Sequence, residues 1–241
     1  MSIAAMMGAG GSGIAGTRVD MTTQPGGAWV VPPGVTSIRV YAFASGGEVG
    51  AGPPYTPGDG GGGGAAYAGG AGGGGSIVGV TLPCTPGETI TLSTTGSSPF
   101  VSTLTFSSTF TSEASVTSGS DSNAFNNAGG NGGTAYVMIG GVLSTCAGGL
   151  GGTWANGSVG GNGAVLSVGG GRVAGGGGGA KGEVTAPPTP PRTGGSSDGW
   201  PGTDGISPGY GGAGGGRNPG RQVLDTVNKT ATGALIFDVY Y

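Results

Sequence analysis

Short stretches in which apolar and polar residues alternate, separated by runs of glycine, make up most of this chain. In the clearest stretch, 28–44, Ile38 and Val40 alternate with Ser37 and Arg39. This period of two predicts a β-strand, and the preceding Pro32-Pro33-Gly34 predicts a turn. Further strands are predicted within 76–82, 88–95, 100–118, 134–149, 163–168 and 235–240.

No stretch has a sustained helical period, and glycine is too frequent for a long helix. The turn sequence 83–87 predicts that 76–82 and 88–95 pair as a hairpin, and Gly140-Gly141 predicts a second hairpin turn. The pattern therefore predicts an all-β fold with an antiparallel, β-sandwich-like core and long glycine-rich segments.

The chain divides into two parts by composition. Residues 28–241 form the predicted glycine-rich β domain, whereas residues 1–27 have few large apolar side chains. We interpret 1–27 as an N-terminal arm for docking or assembly, ordered when a partner or neighbouring subunit covers it, with a frayed terminus as the alternative.

The longest glycine tract, GDGGGGGAAYAGGAGGGGS at 58–76, allows several interpretations. It lies between strands of one domain and contains few charges, which argues against a flexible linker. Its glycines do not keep the strict period of three that collagen needs. We predict extended polyglycine-II segments that hydrogen-bond laterally, with ordered irregular loops as the alternative.

The amino-acid composition of the chain argues against several classes of function. Glycine supplies 64 of 241 residues, only 19 residues are charged, the net charge is −3, and histidine is absent. Eight scattered cations do not predict a nucleic-acid surface, and the absence of histidine removes the commonest general base and metal ligand. The N-terminal sequence MSIAAMMGAGGSG predicts neither a signal peptide nor a membrane span. Whether Cys84 and Cys146 pair is left open.

Sequence motifs for catalysis or cofactor binding are weak. Residues 8–13, GAGGSG, match a dinucleotide fingerprint but lack the strand before it and the helix after it. Four aspartates in Gly/Ser-rich loops fit turns better than a calcium or acid–base site. They are Asp59, Asp121, Asp198 and Asp204. The sequence predicts a non-enzymatic protein without a cofactor or metal.

Five aromatic residues lie in the glycine- and proline-rich segments instead of the strands. Aromatic side chains on thin, rigid loops are typical of recognition surfaces, and they stack well on sugars or apolar patches. The alternative is that they fill gaps between segments that lack side chains. These candidate receptor-contact residues are Tyr55, Tyr67, Trp154, Trp200 and Tyr210.

Three parts of the sequence resemble a known family. The segment 29–40, WVVPPGVTSIRV, precedes a glycine tract and then 85–92, TPGETITL, and the chain ends in a strand at 233–240, GALIFDVY. This order resembles the glycine-rich tail proteins of bacteriophages, which include tail fibre, tail tip and minor tail proteins. The family more often runs from a tryptophan into glycines where this chain has Tyr41-Ala42-Phe43-Ala44-Ser45.

The resemblance implies a structural virion protein, assembled in the host cytoplasm and exposed on the particle as a tail fibre or tail tip component. Its expected partners are other virion proteins, a bacterial surface glycan or protein, and further copies of itself, with a trimer favoured by analogy. Nucleic acid and membrane insertion are not expected. The alternatives are a capsid or tail decoration protein that binds no receptor, and an extracellular silk or cell-wall type of structural protein.

Overall fold

Two six-stranded antiparallel sheets pack face to face in the computed structural model. The structure describes residues 16–44, 46–47, 72–96, 99–107, 111–121, 129–151, 160–179 and 236–241. The first sheet has the strand order β1-β12-β3-β4-β11-β10, and the second has the order β2-β5-β6-β7-β8-β9. The strands are β1 Arg18–Asp20, β2 Ala28–Val30, β3 Ser37–Phe43, β4 Ser76–Pro83, β5 Thr89–Thr95, β6 Val101–Phe106, β7 Ser112–Thr117, β8 Ala135–Ile139, β9 Val142–Cys146, β10 Val165–Val168, β11 Gly171–Ala174 and β12 Ile236–Tyr240.

The core lies between the two sheets and contains one aliphatic or aromatic side chain from every second position of the central strands. Ile38, Leu82 and Phe237 of the first sheet and Ile90 and Leu104 of the second are at most 1% exposed. The predicted all-β, antiparallel sandwich is therefore confirmed, because the period of two placed alternate residues on one buried face.

The two Pro-Gly turns form where the sequence predicted them. Val35 N–H donates to the Pro32 carbonyl across the first turn, and Glu88 N–H donates to the Thr85 carbonyl across the second. In each turn proline is followed by a glycine with positive φ, +85° at Gly34 and +81° at Gly87. This is the pairing that a type II turn requires.

The predicted hairpin between 76–82 and 88–95 was wrong. β4 lies in the first sheet and β5 in the second, so the 83–88 connection crosses from one sheet to the other. Cys84 N–H donates to the Thr36 carbonyl, while Val31 N–H donates to the Glu88 carbonyl, which anchors the connection to both sheets. Alternation identifies a strand's buried face but does not say whether the next strand pairs beside it or packs opposite it.

Two glycine pairs close hairpins at the edge of the sandwich. Gly140-Gly141 joins β8 to β9, as predicted, and Gly169-Gly170 joins β10 to β11. The second hairpin was not predicted, because β11 is a four-residue strand inside a stretch dominated by glycine. The Ser/Thr-rich stretch 100–118 contains two paired strands, β6 and β7.

Part of the sequence assigned to the N-terminal arm packs within the sandwich. β1 pairs with β12, and Met21, which directly follows β1, is fully buried in the core. Thr17 and Tyr241 exchange backbone hydrogen bonds of 2.9 and 3.2 Å. Residues 16–27 therefore close one lateral side of the sandwich, whereas 1–15 lie outside the described residues.

Truncation of Met21 tests this role of the arm. Met21→Ala is expected to lower the free energy of unfolding by about 2–5 kcal/mol, because it leaves a cavity among residues that cannot fully collapse. Met138→Ala is the matched control, since Met138 is only half-buried on the second sheet, and it should cost clearly less. Urea denaturation followed by circular dichroism measures both. Equal losses would contradict a core position for Met21.

Candidate functional site: a polyglycine lattice and its outer end

Seven strand ends continue beyond the two sheets as extended segments that are not β-strands. The segments that prolong the first sheet form a first layer, and those that prolong the second sheet form a second layer. The first layer comprises 44–47 (Ser45 is not described), 72–75, 175–179 and 160–164, following β3, β4, β11 and β10 in the sheet order. The second layer comprises 118–121, 129–134 and 147–151, following β7, β8 and β9.

Backbone hydrogen bonds between these segments recur at every third residue. Gly175 and Gly178 donate to the carbonyls of Ala164 and Gly161, at 2.9 Å each. Gly176 and Gly179 of the same segment donate at 2.8 Å to a different segment, on the carbonyls of Gly133 and Gly130. The same three-residue spacing recurs between four other pairs of segments. Backbone N–H groups of 44 and 47 donate to the carbonyls of 75 and 72, and those of 75 and 72 donate to 117 and 120. Those of 117 and 120 donate to 134 and 131, and those of 164 and 161 donate to 147 and 150. A β-ladder has a period of two, so this pattern is threefold.

The central segments also have more neighbours than a β-strand allows. The segment 175–179 is hydrogen-bonded to 160–164 and 72–75 in its own layer and to 129–134 and 147–151 in the other layer. A strand in a sheet bonds to at most two neighbours, one on each side. Threefold extended segments that bond laterally in several directions are the polyglycine-II arrangement that the sequence predicted.

This packing leaves no space for a Cβ atom. At fifteen glycines of the two layers, a Cβ would lie 1.8–2.2 Å from a backbone atom of a neighbouring segment. At Gly132 it would meet the Gly176 carbonyl oxygen, and at Gly176 the Gly73 carbonyl oxygen, both at 1.9 Å. Of the tract at 58–76, only 72–76 belongs to the described residues. There, glycine is required because backbone packs directly on backbone.

The sandwich tapers into the lattice because the inward-facing side chains become smaller toward it. Along the first sheet the core positions of β3 and its extension are Ile38, Val40, Ala42 and Ala44. Along β8 they shrink from Val137 through Ala135 to Gly133. At the junction the Cys146 thiol already reaches the opposite sheet and donates to the Val173 carbonyl at 3.2 Å. One residue later, the layers are joined by backbone alone.

Four connections of the chain begin at one end of the lattice. They depart after Gly47, Asp121, Gly151 and Gly179, and three of them re-enter at the start of 72–75, 129–134 and 160–164. The fourth re-enters at β12, where Ile236 pairs with Phe43 at the junction of the sandwich and the lattice. We call this edge of the two layers the outer end. Gly16 and Tyr241 lie at the opposite end of the sandwich, because Arg18 pairs with Tyr240 at the end of β12 remote from the lattice.

Two polar side chains complete the hydrogen bonding at the outer end. The Ser120 hydroxyl accepts a bond of 2.7 Å from Asn131 N–H, and the Asn131 side-chain oxygen accepts one of 2.8 Å from Gly151 N–H. They thereby connect all three segments of the second layer. Sequence reasoning missed both residues. Asn131 is a single polar residue within a glycine run, whereas Ser120 lies among other polar residues and gave no such signal.

The five predicted receptor-contact residues, Tyr55, Tyr67, Trp154, Trp200 and Tyr210, lie outside the described residues. Their positions in the sequence fall within connections that begin at the outer end, namely 48–71, 152–159 and 180–235. Among the described residues, no three His, Cys, Asp or Glu side chains come together as a metal site. No helix in that part of the chain has the length and apolar character needed to span a membrane.

Hydroxyl groups cover part of the outward face of the second sheet. The hydroxyls of Thr103 and Ser115 lie 3.0 Å apart, and the neighbouring Tyr136 hydroxyl donates to the Glu113 carboxylate. Burial raises the pKa of Tyr136, and the hydrogen bond to Glu113 raises it further. The phenol therefore stays neutral and links β7 to β8.

Both cysteines are free and buried, so they form no disulfide. Burial raises the pKa of the Cys84 thiol to about 11, with a smaller contribution from the Glu88 carboxylate. Burial also raises the pKa of Cys146. Neutral thiols in these positions pack as small apolar groups and are poor nucleophiles.

Comparison with known proteins adds no relative: no protein-family model matches the chain, and no curated protein matches it.

Substitution of single glycines tests the lattice. Gly176→Ala is expected to lower the free energy of unfolding by about 1–3 kcal/mol or more, because the methyl group meets a carbonyl that is fixed by its own hydrogen bonds. Gly161→Ala is the matched control. Its Cβ would meet nothing closer than 3.1 Å, and alanine removes about 0.4–1 kcal/mol of unfolded-state entropy, so its stability should stay near wild type. Chemical denaturation measures both, and equal stabilities would contradict direct backbone packing at Gly176.

Thiol reactivity tests the burial of the cysteines. In the native protein at pH 8, reaction of Cys84 and Cys146 with Ellman's reagent should be far slower than that of glutathione, because burial limits both access and the thiolate fraction. In concentrated urea both thiols should react rapidly. Native labelling at the rate of glutathione would show that these sites are open.

Proposed function

We propose that this chain is a structural virion protein of a bacteriophage, a tail fibre or tail tip component that binds the host surface. The observation that supports it most is the polarity of the molecule. A rigid polyglycine lattice has its outer end at one extreme, and Gly16 and Tyr241 lie at the other. An adhesin needs this division between an attachment end and a contact end.

The lattice suits the support of a contact surface. Its segments bond to neighbours both within a layer and between layers, so a lateral displacement of one segment would break bonds in several directions. Residues 72–75 and 175–179 are buried throughout, although they contribute no side-chain core. Rigid elements hold recognition loops more precisely than flexible ones, which lowers the entropy cost of binding.

The connections that begin at this outer end carry the aromatic residues identified from the sequence. Tyr55 and Tyr67 fall between Gly47 and Gly72, Trp154 falls between Gly151 and Gly160, and Trp200 falls between Gly179 and β12. Tyr210 falls in the same connection as Trp200. We propose that these residues stack on a surface glycan or an apolar patch of a bacterial surface protein.

The opposite end supports attachment to the particle. Residues 1–15 precede Gly16 and contain neither acidic nor basic side chains. At this end of the sandwich the Trp29 and Tyr241 rings are 5.4 Å apart. We propose that this end docks onto another virion protein through apolar contacts.

Localisation on particles and binding to cells test the proposal in two steps. Mass spectrometry should detect the protein in purified particles of the phage that encodes it. Immunogold electron microscopy should place it on the tail of those particles. Purified protein should bind host cells and reduce phage adsorption. Absence from the particles would overturn the virion role, whereas presence without cell binding would indicate the decoration alternative.

Residue replacements test the contact end. Trp154→Ala and Trp200→Ala should each weaken binding to host cells by tenfold or more, while unfolding curves stay close to wild type. Phe100→Ala is a control, because Phe100 is an exposed aromatic of the sandwich outside the candidate set. Loss of fold in the tryptophan variants, or equal binding by all three, would show that these tryptophans do not contact the receptor.

A further inference from the structure

The two lateral sides of the sandwich are closed to different extents. On one side, β1 and β2 form the sheet edges, and Met21 fills the space between them without exposure to solvent. On the other side, β9 ends the second sheet and β10 ends the first. Core-facing side chains at this side are open to solvent.

Val142 and Leu166 occupy inward positions on these edge strands. Val142 pairs with Ile139, which packs against the core, and Leu166 pairs with the fully buried Val173. Nevertheless, Val142 is 68% exposed and Leu166 is 40% exposed. The hydrophobic layer between the sheets therefore continues to this side of the molecule and ends uncovered.

Exposed apolar residues are concentrated on this side of the molecule. Eight large hydrophobic residues are exposed in the described part of the chain, and five of them lie along β9, β10 and the lattice segment after β9. We call this the β9/β10 surface. Its apolar residues are Val142, Leu143, Leu150, Val165 and Leu166. Such concentration on one side is typical of an interaction site.

The β9/β10 surface also lacks the features that prevent edge strands from pairing with other chains. The sequence from Ser122 to Gly171 contains no Asp, Glu, Lys or Arg, and neither edge strand contains proline. Soluble proteins protect such edges with charges, proline or covering elements. A partner for this surface must therefore be apolar, uncharged and able to pack on or pair with an extended edge.

Three other segments of the same chain fit this surface poorly. Residues 1–15 join the sandwich at Gly16 beside β1, on the lateral side remote from β9 and β10. Residues 152–159 connect at the outer end, about 29 Å along the extended backbone from Val142, and eight residues that must go out and return reach only about 15 Å. Residues 180–235 carry nine charged residues and seven prolines, a composition unlike that of the surface to be covered.

We propose that the β9/β10 surface packs against the same surface of another copy of this chain. Neither β9 nor β10 contains a charged residue, so contact between two copies of this surface brings no like charges together on the edge strands. A surface about 30 Å long and two layers wide provides about 600 Å² per copy, close to the roughly 800 Å² of a standard stable interface.

Sedimentation velocity on the full chain tests this proposal. The wild-type protein should sediment as a dimer or larger closed oligomer at micromolar concentration, whereas Val142→Lys should raise the dissociation constant at least tenfold. Val30→Lys is the matched control, because Val30 is an exposed valine on the opposite edge strand β2, and it should self-associate like wild type.

Leu143→Lys is a second variant that should disturb folding less than Val142→Lys. Leu143 alternates with the inward Val142 and therefore points away from the space between the sheets. It should also weaken self-association, while its urea unfolding curve, measured on dilute monomer, stays close to wild type. A wild-type monomer at 100 µM, or association lost in Val30→Lys and kept in both β9 variants, would overturn the proposal.

Discussion

The direct contact of backbone with backbone between the two layers determines the shape of this molecule. In the sandwich, the sheets are held apart by side chains such as Ile38 and Phe237, and the backbone hydrogen bonds that pair the strands stay within each sheet. In the lattice, Gly149 N–H donates to the Gly176 carbonyl across the layers. The distance between the layers therefore falls to that between two hydrogen-bonded backbones. Glycine loses more conformational entropy on folding than other residues, and bonds in several directions offset that cost.

The taper explains why both halves belong to one domain. Inward side chains become smaller by steps, from Val137 to Ala135 to Gly133, so the same strands run from one type of packing into the other without a break. Each lattice segment inherits its neighbours from the sheet order. The register of the lattice is therefore set by side chains in the sandwich. Polyglycine segments alone could not select one register, because every position in them is the same.

The sequence contained the strands and the need for glycine, but not their arrangement. Alternation identified β3 and β4, and Gly140-Gly141 identified a hairpin. The same alternation paired β4 with β5 wrongly, because it describes one face of a strand and not its partners. The lattice bonds repeat every three residues, yet Gly175 and Gly176 donate to different segments. No single segment could therefore show that pattern in its sequence.

The candidate contact residues were predicted from side-chain size and not from alternation. The aromatics at positions such as Tyr67 and Trp154 stood out because large side chains are rare in the glycine tracts, whereas Ser120 and Asn131 did not stand out among many polar residues. The lattice tolerates no added Cβ at fifteen glycines, so sterics fix its sequence at those positions. Composition therefore indicated where glycine is needed, whereas the hydrogen bonds of Ser120 and Asn131 depend on which segments lie side by side, and no single stretch of sequence contains that information.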